Sequence, residues 1–129
     1  MSWDLSLVTE CPTCGRFTEQ DIGNYTHNTN TMIRAASLGK EFSFPQPTIG
    51  DEVLFRAPTE GLCWGDFDGK RAGEVAEFAR LIRLRLGDRK YDIYAPGNGW
   101  GGRDTLIPFL RKVESACRKA PDAIFRADG

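Results

Sequence analysis

The chain lacks the features that would tie it to a familiar chemistry. Its 129 residues include a single histidine, His27. One histidine excludes a metallopeptidase pair of histidines on one helix face. A serine elbow and a phosphate-cradling glycine loop are also missing. No apolar run approaches the roughly eighteen residues needed to span a bilayer, so no membrane partner is expected. The opening Met1-Ser2-Trp3-Asp4 has neither the basic segment nor the apolar stretch of an export signal, so a cytoplasmic location with reduced cysteines is expected. There is no excess of charge of either sign: 17 basic residues stand against 18 acidic ones. That balance gives no general attraction to nucleic acid or to anionic membrane.

What is present suits one folded domain over residues 1–129. Hydrophobic residues make up 40% of the chain and aromatic residues 11%, enough for a core and too many for global disorder. Charge is uneven in one place. Lys70, Arg71, Arg80, Arg83, Arg85, Arg89 and Lys90 lie close together, against Glu74, Glu77 and Asp88. This run reads as a solvated helix face. Without aromatic interleaving or a recognised binding motif, nucleic acid is not an expected partner.

Periodicity points to an α+β fold with about three helices and a small N-terminal hairpin or mixed sheet. Trp3, Leu5 and Leu7 alternate along a first strand. Cys11-Pro12-Thr13-Cys14-Gly15 makes a tight turn, and Arg16-Phe17-Thr18 returns as a second strand. A first helix is expected from near Thr26 to Leu38, with Tyr25, Met32 and Ala36 along one side and Asn24 or Thr26 as its cap. Pro45, Pro47 and Pro58 interrupt the middle of the chain, where Leu62, Trp64 and Phe67 are expected to pin it to the core. A second helix runs over about 70–86 on the stripe Val75, Phe78, Ala79, Ile82 and Leu86. Tyr91-Asp92-Ile93-Tyr94 reads as a short extended segment. A third helix covers about 106–119, with Leu106, Leu110, Val113 and Cys117 buried, and Ala123–Arg126 forms a last strand.

Two groups of residues could carry chemistry. Cys11 and Cys14 have the spacing of a zinc knuckle, because a tight turn can aim two thiolates at one tetrahedral ion. His27 and Cys63 are the candidates to complete such a structural zinc site. An unliganded turn and a dithiol redox site are the alternatives. The second group is Asn24-Tyr25-Thr26-His27-Asn28-Thr29-Asn30, together with Asn98-Gly99-Trp100-Gly101-Gly102 downstream. Polar side chains this dense are costly to bury without partners. Asn24, His27, Asn28, Asn98 and Trp100 therefore form either a binding surface for a polar ligand or an internal network of caps and loop ties. His27 can exchange protons near neutral pH, Trp100 offers a flat apolar face, and the glycines permit close backbone approach.

These same segments resemble a family of small bacterial and phage proteins. The matching blocks are Asn24 to Met32, Asn98 to Gly101, and Cys117-Arg118-Lys119-Ala120-Pro121-Asp122-Ala123. Gly102 departs from the pattern, standing where related segments carry an acidic or small polar residue. The resemblance implies no activity and no cofactor, and the Cys11–Cys14 turn is not part of it.

The leading expectation is an accessory protein that binds a small polar molecule or a protein partner, without catalysis. A zinc-supported structural or interaction module is the alternative. A third reading is a metal-assisted hydrolase using His27 and nearby acids such as Asp66 and Asp68.

Overall fold

The structure, a computed structural model, describes residues 2–26, 29–38, 48–49, 52–53, 61–94 and 102–129. It is α+β, as the patterning indicates. Strand β1 (Ser2–Glu10) pairs antiparallel with β2 (Phe17–Thr26) and, on its other side, with β5 (Ile124–Asp128), giving the sheet order β2-β1-β5. A two-residue ladder joins β3 (Thr48–Ile49) to β4 (Glu52–Val53). The helices are α1 (Asn30–Leu38), α2 (Ala72–Leu86) and α3 (Arg103–Lys119).

The hairpin turn is closed by backbone bonds from Cys11 N–H to Arg16 O (2.8 Å) and from Gly15 N–H to Cys11 O (2.9 Å). Gly15 supplies the positive φ of 69° that the turn requires. Leu5 and Leu7 face the core, and Trp3 is half-buried on the same side. The β1–β2 register shifts once. Leu5 stands opposite Gly23 and Ser6 opposite Asp21, so Ile22 is an extra residue on β2. This bulge lets Ile22 join the buried side chains beside polar neighbours.

The helices bury the stripes expected of them. Val75, Phe78, Ala79, Ile82 and Leu86 of α2 are inside, as are Leu106, Leu110, Val113 and Cys117 of α3. Trp64 lies on a short 3-10 turn (Trp64–Phe67) and is wholly enclosed. Its ring meets Phe78 of α2 and Phe109 of α3 edge-on, at 5.9 and 6.1 Å, and lies 6.3 Å from Phe125 of β5. One side chain thus joins both long helices to the sheet. Phe67 stacks on Phe78 at 4.4 Å, whereas Leu62 is exposed and does not pin the segment.

Three local expectations are corrected. The first helix does not begin near Thr26. β2 continues through Thr26, paired with Ser2, and α1 starts at Asn30. The strand is prolonged because Tyr25 stacks on Phe109 of α3 at 4.5 Å. Tyr91–Tyr94 is not extended but belongs to a 3-10 helix (Arg89–Tyr94). Tyr91 and Tyr94 are both buried, and a spacing of three suits the 3-10 period rather than strand alternation. Helix α3 starts at Arg103, so Pro108 is its sixth residue, past the first turn, where it costs one backbone bond.

Two arginines of the basic run, Arg83 and Arg85 of α2, have structural roles, while Lys70, Arg71, Arg80 and Arg89 are exposed. Arg85 donates to the carbonyls of Ala36 (2.7 Å) and Ser37 (2.8 Å), groups left without partners at the end of α1. Its positive charge also suits the negative end of that helix. Arg83 pairs with Glu114 of α3 at 3.1 Å, and Arg118 reaches the same carboxylate at 3.0 Å. Gly61 (φ 103°) closes against α1, where a Cβ would sit 2.5 Å from the Arg34 carbonyl oxygen. Arg34 donates in turn to Gly61 O at 3.0 Å. Among the described residues no helix is long and apolar enough to cross a membrane.

Candidate functional site

His27, Asn28, Asn98 and Trp100 lie outside the described residues. The nearest described residues are Thr26 and Thr29 around the first pair and Tyr94 and Gly102 around the second, and bonds tie together residues close to these ends. Tyr25 is the penultimate residue of β2, two positions before His27. Thr105 lies in the first turn of α3, just beyond the glycine-rich segment. Their hydroxyls meet at 2.7 Å across 80 residues of sequence. Thr105 Oγ1 also accepts from Gly102 N–H (3.1 Å) and donates to Gly102 O (3.1 Å). Its only proton is then committed to the backbone, so Tyr25 is the donor in the contact between strand and helix. Partial burial raises the Tyr25 phenol above its ordinary value, with the Thr105 hydrogen bond offsetting part of the rise. The phenol therefore keeps its proton at neutral pH.

The other flanks are tied as well. Asp92, on the 3-10 helix before the glycine-rich segment, faces Arg103, the first residue of α3, at 3.6 Å. Asn30, on the far side of His27 and Asn28, opens α1. Its Oδ1 accepts from the Trp3 indole at 2.9 Å and from the Cys63 thiol at 3.3 Å. Trp3 is itself the register partner of Tyr25. Thr29 is fully buried, with its hydroxyl 3.4 Å from the Thr26 carbonyl. Four stretches distant in sequence are therefore anchored to the end of the β1–β2 ladder and the start of α3.

Asn24 belongs elsewhere. Its amide nitrogen donates to Ser2 Oγ (2.8 Å) and Asp4 Oδ1 (2.6 Å), a cross-strand network. Strand alternation puts it on the opposite face from Tyr25. That outer face of the sheet forms an open polar concavity of about 720 Å³, lined by Asp4, Ser6, Glu19, Asp21, Asp68 and Arg126 among others. Asp68 is engaged there, pairing with Arg126 at 3.2 Å and accepting from Ala127 N–H at 3.0 Å. Asp66 accepts from Cys63 N–H at 2.9 Å and lies 4.0 Å from Arg34. Both aspartates thus hold backbone in place.

The cysteines divide into two environments. Cys11 and Cys14 lie at the tip of the hairpin, with Cys14 exposed. The Cys11 sulfur meets the Thr13 hydroxyl at 3.3 Å. That hydroxyl, the backbone amides of Cys14 and Thr13, and the Cys14 thiol together lower the Cys11 thiol to about 6. Cys63 is buried, and its enclosure raises the thiol to about 11; Cys117 is pushed up to about 12 for the same reason. A thiol held that high is a weak nucleophile and a weak ligand at neutral pH. Among the described residues no three His, Cys, Asp or Glu side chains gather to hold a metal ion. Cys63 is therefore not brought to the Cys11–Cys14 turn.

The residues that assemble this junction were not legible as a set. Tyr25 stood beside the amide cluster, but nothing in one sequence pairs it with Thr105 or pairs Asp92 with Arg103. No protein-family model matches the chain, and searches of curated proteins and of solved structures return no significant match.

Proposed function

We propose that this is an accessory domain that binds a small polar molecule through His27, Asn28, Asn98 and Trp100. The observation that carries the reading is the hydrogen bond between Tyr25 and Thr105, which ties the strand leading into the first segment to the helix leaving the second. His27 is only two positions along the chain from Tyr25, a reach of about 7 Å at full extension. A histidine, two amides and an indole beside glycine-permitted close backbone approach suit a ligand with hydrogen-bonding groups on a flat ring. A sugar or a nucleobase has that shape. Asn24 contributes by bracing the strand rather than by touching the ligand.

Titration of the purified chain with neutral sugars, nucleosides and small anions, followed by NMR, tests this reading. The single histidine gives one imidazole signal set, and a Trp100→Phe variant identifies the Trp100 indole. A ligand that moves both signals, and binds weakly to His27→Ala and Trp100→Phe, is the expected result. Ligands that move only one of the two, or a full panel that moves neither, would refute a shared pocket.

A second reading, zinc-supported protein interaction, is favoured by a different observation: two sulfurs presented at one hairpin tip, Cys14 exposed and Cys11 beside the Thr13 hydroxyl at 3.3 Å. Zinc content after gentle purification under reducing conditions tests it. Metal well below stoichiometric amounts, with no uptake on addition of zinc, would reject it.

A further inference from the structure

The hairpin tip offers half of a metal site. Tetrahedral structural zinc takes four donors, and Cys11 and Cys14 supply two. Among the described residues, no third His, Cys, Asp or Glu side chain joins them, and Cys63 is sealed inside, bonded to Asn30. At the tip the Cys11 sulfur lies 3.3 Å from the Thr13 hydroxyl, and Gly15 closes the loop with its positive φ of 69°.

The surroundings of the tip suit another protein chain. Phe17, the first residue after the turn region, is 68% exposed. Beside it lies a cleft of about 370 Å³ whose lining mixes Val8, Phe17, Pro121 and Ile124 with Glu10 and Asp122. An aromatic ring left in water beside such a cleft is the kind of surface that association covers. A second copy brings two more thiols and a second Phe17 about one twofold axis, an interface in which each copy offers the same patch.

We propose that Cys11 and Cys14 from two copies of this chain bind one zinc ion, so that the hairpin tips form a metal-bridged homodimer. This rests on the zinc reading of the turn and adds the source of the missing ligands. Each thiol that coordinates gives up its proton to solvent, and no electron is transferred. The Zn(Cys)4 unit then carries net negative charge, and each copy contributes Arg16 from the same turn.

The test uses the full chain, reduced and stripped of metal with a chelator. Zinc is titrated while mass is followed by analytical ultracentrifugation and native mass spectrometry, and cobalt replaces zinc as a spectroscopic probe. The expected result is one metal per two chains, a monomer-to-dimer shift on adding zinc, its reversal by chelator, and a cobalt spectrum of four thiolates. Cys11→Ser and Cys14→Ser each abolish the dimer, whereas Cys63→Ser and His27→Ala retain it. Should a cysteine variant fold poorly, the cobalt spectrum of the unaltered chain still decides the ligand count. A monomer holding one metal per chain would overturn the bridging proposal while leaving the zinc reading intact. No metal uptake, or a dimer indifferent to zinc, would overturn both.

Discussion

Removing the Tyr25 hydroxyl is the sharpest way to probe the junction between β2 and α3 that the proposed binding site relies on. In Tyr25→Phe the ring keeps its stack on Phe109, so only the bond to Thr105 is lost. A neutral hydrogen bond contributes about 0.5–1.5 kcal/mol net, and a half-exposed phenol can recover part of that from water, so a loss of about 1 kcal/mol is expected. Thr105→Val loses the same bond and also the two Gly102 contacts that fasten the start of α3. A helix-start contact contributes about 1 kcal/mol, so the total loss for Thr105→Val is about 2 kcal/mol. The double variant should fall short of the sum by about 0.5–1 kcal/mol, the coupling between the two hydroxyls. Urea denaturation followed by circular dichroism measures all four corners of the cycle, and Thr105→Ser should restore most of the loss. If the two losses add to within about 0.3 kcal/mol, the hydroxyls are not coupled, and the tie between β2 and α3 is not what holds the junction.

Further outcomes follow from the core, the ion pairs and the thiols. Trp64→Ala should cost about 3–5 kcal/mol, because the ring fills the space between α2, α3 and β5. Trp64→Phe should cost clearly less, since the buried indole N–H has no hydrogen-bond partner among the described residues to lose; equal losses in denaturant would contradict this. Burial alone would raise the Glu114 carboxyl, but hydrogen bonds from Arg83 and Arg118 outweigh it and leave Glu114 below the ordinary glutamate range. A depressed carboxyl stabilises the fold above its unfolded value, and that contribution is lost as pH falls through the folded one. The urea midpoint of Glu114→Gln should therefore trail the unaltered chain at pH 7 and converge with it in acid; a constant gap would refute the pairing. Iodoacetamide labelling read by mass spectrometry should modify Cys11 with a midpoint near pH 6 while sparing folded Cys63 and Cys117. Thr13→Val should move that midpoint upward, and an unchanged midpoint would discount the Thr13 contact.

What the sequence reveals, and what it hides, divides along the range of the interactions. The stripes of α2 and α3 were readable because burial on one face of a helix repeats every three to four residues. The Cys11–Gly15 turn was readable because its proline and glycine act locally. The end of β2 was misjudged because Asn24 and Thr26 are good capping residues, while the contact that keeps the strand going, Tyr25 on Phe109, comes from 84 residues away. Tyr91–Tyr94 was misjudged because tyrosine and isoleucine favour strands, whereas the spacing of three between two buried tyrosines fits a 3-10 turn. Arg85 looked like one more solvated charge, and only the packing of α2 beside the end of α1 gives it two carbonyls to satisfy. The same limit applies to the candidate site. Its residue types were visible, but the tie between Tyr25 and Thr105 is a tertiary fact.

The most direct test is the proton–proton NOE between the imidazole of His27 and the indole of Trp100 in the free, folded chain. There is one histidine to assign, and Trp100→Phe removes the correct indole from the three tryptophans. Cross-peaks between the two rings are expected if both segments border one pocket. Well-resolved signals from each ring, with no cross-peak between them and with separate responses to ligand, would contradict it.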